Sequence, residues 1–161
     1  MGAGRWFIDL TAPFVERLAR AYGLRVEQHF TPLGEGAVVI EDPPEVARHR
    51  IPASVMFNTR SGSIRVGSDT VFGEDVMLVT GKHFNVKESA QSGRPLHYVP
   101  PSGRDIVIGR HCYVGSRAIL IGPLTVGDYS VIGAGAVVTH DVPSYTFVAG
   151  VPARAVADLR G

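Results

Sequence analysis

IGRHCYVGSRAILIGPLTVGDYSVIGAGAVV, residues 108–138, carries an aliphatic side chain at every sixth position: Ile108, Val114, Leu120, Val126, Ile132 and Val138. The same phase holds upstream at Val66, Phe72 and Leu78. Glycine follows six of these nine residues (Gly67, Gly73, Gly109, Gly115, Gly127 and Gly133), and the exceptions, Val79, Ile121 and Thr139, come after every third one. The repeat is therefore three unequal hexads long. Neither an α-helix nor an alternating strand has a period of six. A parallel β-helix does, because each hexad forms one short side and a corner, and three sides close a triangular coil. The periodic aliphatic points into the prism, and a small residue beside it suits the tight corner. With apolar residues at 45% of all positions, nine hits in nine would arise by chance about once in a thousand such chains.

Working outward, the phase predicts coils over 66–83, 108–125 and 126–143, each announced by an aliphatic two positions earlier (Ile64, Ile106, Leu124). Ile51 to Arg65 reads as an irregular first coil, since Arg48, Ser54 and Arg60 stand where the phase asks for apolar residues. The hexad due at position 84 begins at position 108, so a segment equal in length to four hexads is inserted directly after His83. This insert, about 84–105, is rich in Pro, Gly and Ser and reads as a structureless excursion. Such excursions in compact domains are usually functional; the alternative is a decorative surface loop.

The chain accordingly divides into an N-terminal cap (1–50), a β-helix (51–143) and a closing segment (144–161). Within the cap, residues about 11–22 read as a helix, capped by Thr11, with Pro13 in its first turn and Gly23 at its end. Phe14, Val15, Leu18 and Tyr22 form its apolar face. Residues about 35–41 read as a strand halted by Pro43 and Pro44. A prism of about four coils at about 4.8 Å per coil is only about 20 Å long. The helix is expected to close one of its ends, and the flat sides to pack against other copies, as a homotrimer.

Composition limits the partners. The 161 residues suit one domain, and a formal net charge of +1 creates no field for nucleic acid. No secretory h-region, no membrane-spanning apolar run and no acylation signal is read, Trp6 standing where that last signal needs a hydroxyl. Cys112 is the sole cysteine; it lies on the hexad pattern as a small core residue and fits a reducing, cytoplasmic setting.

His83 is the main candidate for chemistry. It ends a coil at the corner where the insert departs, on the outer surface, and a neutral imidazole suits proton removal from an alcohol. Spacing alone equally allows a solvated loop histidine. Three stretches go further: FGEDVMLVTGKH (72–83), IGRHCYVGS (108–116) and IGAGAVVTHDVPSYTFVAGVPAR (132–154). They resemble the hexapeptide-repeat acyltransferases, in particular the maltose/galactoside and polysaccharide-biosynthesis O-acetyltransferases, over about residues 57–156.

The resemblance implies an all-β, left-handed parallel β-helix. It implies acetyl-CoA as co-substrate, a hydroxyl of a sugar or sugar-containing molecule as acceptor, and sites between subunits. His83 falls at the family's general base. Ser116 matches the position whose backbone N–H meets the thioester oxygen. Ala134, Thr139 and His140 match the groove for pantetheine and nucleotide, His140 standing where the family often has lysine. Arg154 matches a cation near the coenzyme phosphates, the alternative being an exposed C-terminal arginine. Asn58 resembles an acceptor-binding asparagine, the alternative being a turn residue; the chain is about three positions shorter there than the family pattern.

No metal is expected. The zinc hydratases that share this fold need closely spaced histidines, and no two histidines here lie within five positions of each other. Two rival functions remain at this stage: a non-catalytic scaffold or sugar-binding subunit, and an acetyltransferase acting on a hydroxylated antibiotic.

Overall fold

The computed structural model describes residues 34–161; the helix expected at 11–22 lies outside the described residues. In chain order come β1 (Val38–Ile40), α1 (Pro44–Arg50), β2 (Met56–Asn58), β3 (Ile64–Val66), β4 (Val71–Phe72) and β5 (Met77–Val79). They are followed by α2 (Val86–Ser92), β6 (Ile106–Ile108), β7 (Tyr113–Val114), β8 (Ile119–Ile121) and β9 (Leu124–Val126). The chain ends with β10 (Val131–Ile132), β11 (Val137–Val138), β12 (Thr146–Ala149) and β13 (Arg154–Asp158).

These strands stack into three parallel sides of a left-handed β-helix. The first side is β1-β3-β6-β9, the second β4-β7-β10-β12 with β13 antiparallel on its end, and the third β2-β5-β8-β11. All nine periodic side chains face the interior, none more than 3% exposed, and Ile64, Ile106, Leu124 and Cys112 are buried with them. Burial pushes the Cys112 thiol pKa up, in keeping with a packing role. Shortening one interior rung should register directly. Ile132→Val is expected to cost about 0.5–1.5 kcal/mol, measured as a lower urea midpoint at unchanged slope; no loss would mean the hexad position is not interior.

Register locates the insert. Ile106 pairs with Leu124, one regular repeat further along, but Ile64 pairs with Ile106, more than two repeats away. The other two sides carry the same displacement between these coils, Phe72 pairing with Val114 and Leu78 with Leu120. The insert itself is not the structureless excursion that its composition suggests. Asn85 and Glu88 form a reciprocal capping box that starts α2, and Gly93 ends it in a left-handed conformation at φ 69°.

The N-terminal reading also changes. Pro43 and Pro44 do end β1, but they also begin α1, with Pro44 in the first turn, Glu45 near the positive end and Arg48, His49 and Arg50 at the negative end. Arg50 fastens that helix to Asp42 and Asp69 at 2.8 and 2.6 Å. In the first coil, Phe57 pairs with Leu78, three positions more than a regular repeat would give. The longer coil shifts the phase, so Phe57 is buried in place of Arg60.

Candidate active site

The turn of each hexad decides which corner a candidate occupies. The chain enters the third side past Ser116 and leaves it past His83, so the two sit on opposite edges of that side. Asn58, His83, Thr139 and His140 share the exit edge, on different coils. Ser116 and Ala134 share the entry edge, and Arg154, beside Ala149 at the start of β13, lies above them.

At the exit edge His83 is exposed, and its Nδ1 lies 2.8 Å from the carbonyl oxygen of His97 in the insert. A carbonyl only accepts, so Nδ1 carries the hydrogen and Nε2 the lone pair. The insert thus orients the ring and selects its tautomer. The insert is braced internally, where Phe84 N–H donates to the Tyr98 carbonyl at 3.0 Å and the two rings meet edge-on, and is tied to the prism where Arg104 N–H donates to the Ser61 carbonyl at 3.0 Å. The buried Arg104 donates to Glu88 Oε1 at 2.8 Å.

Glu88 is held below its ordinary value, first by the Asn85 backbone N–H at 2.7 Å and then by Arg104. A carboxylate lowered by folding stabilises above its unfolded value and loses that contribution as pH falls through the folded one. The α2 anchor is therefore expected to be complete above pH 4.5, the ordinary value for Glu88, and to weaken below it. Amide chemical shifts of Val86–Ser92 followed through acidification, with Glu88→Gln for comparison, read this; a helix indifferent to both contradicts it.

Asn58 makes a turn contact at the exit edge. Its Oδ1 accepts the Arg60 N–H at 3.1 Å, a turn role. Its amide also packs on Gly81, two positions before His83, where an added Cβ would come within 2.7 Å of Oδ1. Thr139 Oγ1 and His140 Nδ1 pair with each other at 2.9 Å on the exposed corner above. Arg154 is exposed, its Nη1 donating to the Ala153 carbonyl at 2.8 Å.

At the entry edge Ser116 is half-buried and its Oγ accepts the Glu74 N–H at 3.2 Å. Gly73 is required beneath it, since a Cβ there would collide with Ser116 N and Oγ. The Ser116 N–H has no partner among the described residues. An open groove of about 370 Å³ lies on the first side between Gly103, Asp105, Val107, Pro123, Thr125 and Asp141. Its two carboxylates are occupied by the Ser63 and Thr125 N–H groups, both at 2.7 Å, and no candidate residue lines it. Among the described residues no group of three or more metal-ligating side chains occurs, and no helix is long and apolar enough to cross a membrane.

Comparison with known proteins bears on the family. Residues 105–140 match the family described as bacterial transferase hexapeptide (six repeats). The chain is 27% identical over 153 residues to the Escherichia coli K12 protein named as lipopolysaccharide biosynthesis O-acetyl transferase WbbJ, covering 92% of this chain and 72% of that one. It is 32% identical over 92 residues to the galactoside O-acetyltransferase of the same organism, covering 54% of this chain and 43% of that one. Among solved structures, the Vibrio cholerae hexapeptide-repeat acetyltransferase VCA0836 complexed with acetyl coenzyme A shares the fold at a TM-score of 0.53. It is 21% identical, with 82% of this chain and 73% of that one aligned. Repeat, three-sided prism and relatives agree: the chain carries the bacterial transferase hexapeptide repeat over residues 105–140 and is similar in sequence and fold to named acetyltransferases.

Proposed function

We propose that this protein transfers acetyl from acetyl-CoA to a hydroxyl of a sugar or sugar-containing acceptor, directly and without an acyl-enzyme. The observation that carries the reading is the His83 ring, fixed through Nδ1 so that Nε2 is the basic atom, on an exposed corner beside the insert. The acceptor oxygen attacks the thioester carbonyl while Nε2 takes the hydroxyl proton. The C–S bond then breaks, and the proton passes to the departing coenzyme thiolate. Holding both reactants makes the encounter effectively unimolecular. WbbJ and the galactoside enzyme, by their names, support oxygen acceptors of this class.

Ser116 supplies its N–H to the thioester oxygen, and Ala134, Thr139, His140 and Arg154 line the coenzyme's path. These residues occupy two edges of one chain, and a cyclic trimer reunites them. The third side supports that assembly: Met56, Met77, Ile119 and Val137 form one in-register apolar column on its outer face, and Val79 and Ile121 extend a second. The first side instead presents Arg65 and Thr125 among its outward residues. With three third sides around a rotation axis, the exit edge of each copy faces the entry edge of the next. His83 then meets Ser116 of a neighbouring copy across an open groove.

The test is free-thiol release from acetyl-CoA across a panel of sugars, nucleotide sugars, glycans and hydroxylated antibiotics. Acceptor-dependent release with a saccharide is the expected result. Release confined to an antibiotic would move the acceptor class, and coenzyme binding without release to any acceptor would favour a scaffold.

A further inference from the structure

Four corner amides of the prism are capped in one manner. Ser63 N–H donates to Asp105 Oδ1, Glu74 N–H to Ser116 Oγ, Arg110 N–H to Asp128 Oδ1 and Thr125 N–H to Asp141 Oδ1, at 2.7, 3.2, 2.8 and 2.7 Å. Each acceptor belongs to the residue stacked above the donor, one coil further along the chain. A short polar side chain on one coil thus satisfies the exposed turn N–H of the coil below.

The Glu74–Ser116 column continues to Ala134, which stacks on Ser116 by the same regular step that joins Val114 to Ile132. The stacking is close: a Cβ on Gly115 would come within 2.5 Å of Ala134 N. A methyl group cannot accept a hydrogen bond, and the Ser116 N–H is left without a partner among the described residues. Asp128, stacked beneath Ser144, and Ala134 also carry open amides, both on exposed corners, whereas Ser116 is half-buried.

We infer that Ala134 is a positioning residue whose lack of an acceptor keeps the Ser116 N–H available to the thioester oxygen. The inference rests on the acetyl-transfer reading above, and assigns the specificity for an acylated over a free coenzyme to the identity of one stacked residue. A donor already engaged with its own protein must break that bond before it can stabilise charge on the carbonyl oxygen, whereas an open one is preorganised. Serine at 134 would copy the cap that Ser116 itself places on Glu74.

The test follows the backbone amide of residue 116 by NMR in the intact protein and in Ala134→Ser, with acetyl-CoA and CoA as separate probes. In the parent protein this amide should exchange freely and shift with acetyl-CoA but not with CoA. In Ala134→Ser it should exchange about tenfold more slowly, lose the acetyl-specific shift, and still bind CoA. Turnover should fall by up to about 10²-fold. Ala134→Val, which adds bulk without an acceptor, should leave the amide unprotected and weaken both coenzyme forms alike. Unchanged exchange in Ala134→Ser, or a serine variant that behaves as the valine one does, overturns the inference. Failure of the parent protein to bind acetyl-CoA at all overturns the acetyl-transfer reading with it, and is told apart because the exchange measurement needs no ligand.

Discussion

His83→Ala is expected to lower acceptor-dependent thiol release by about 10²–10⁴-fold with CoA affinity unchanged. The size follows from what the ring does. An alcohol is a poor nucleophile until its proton has somewhere to go, and Nε2 is the basic atom that the His97 carbonyl leaves exposed. The unchanged affinity follows from the division of roles, since the coenzyme contacts are assigned to Ser116, Ala134, Thr139, His140 and Arg154, while His83 serves only the acceptor's proton. The measurement is kcat and KM for each substrate beside a direct CoA titration. Turnover close to that of the parent would remove His83 from the chemistry. A matching loss of CoA affinity would make it a binding residue.

Ile119→Lys is expected to have an effect as large by a different route. Ile119 lies mid-column on the apolar outer face of the third side, between Met77 and Val137. A charge there costs little in a single exposed chain but several kcal/mol when three copies close over it without partners. The variant should keep its far-UV circular dichroism, scatter light as a single copy and retain under about 1% of the turnover, because neither edge alone holds both His83 and Ser116. Thr125→Lys, on the first side, should leave assembly intact. If the first-side lysine breaks assembly and the third-side lysine does not, the sites meet across a different surface.

The prism is legible in the sequence because its period is a local property: one aliphatic per side, repeated nine times, survives whatever surrounds it. The place of the insert is legible for the same reason, as a break in phase. Features encoded only once are harder to read. α1 is hidden because a double proline stops a strand and starts a helix with equal ease, and only the later Arg48, His49 and Arg50 argue for the second. α2 is masked by the Gly and Ser around it, although Asn85, Glu88 and Gly93 form its start and stop signals. The first coil slips its phase, and no repeat within a single turn announces its own register. The candidate site residues are named by resemblance. Sequence order does not say that they occupy two edges, because that depends on where each hexad turns its corner.

The break in phase between the second and third coils has a consequence for how such a protein can change. Closing a longer loop costs only about 0.6 kcal/mol for each doubling of its length. The pairing across the insert, Ile64 with Ile106, encloses a little over twice the chain enclosed by the next, Ile106 with Leu124. The entropic penalty for carrying the segment that orients His83 is therefore little more than one such increment. Lengthening, shortening or exchanging that segment between its two fixed ends leaves every rung of the ladder in place. Such changes would alter what surrounds His83 without disturbing the stacked coils beneath it.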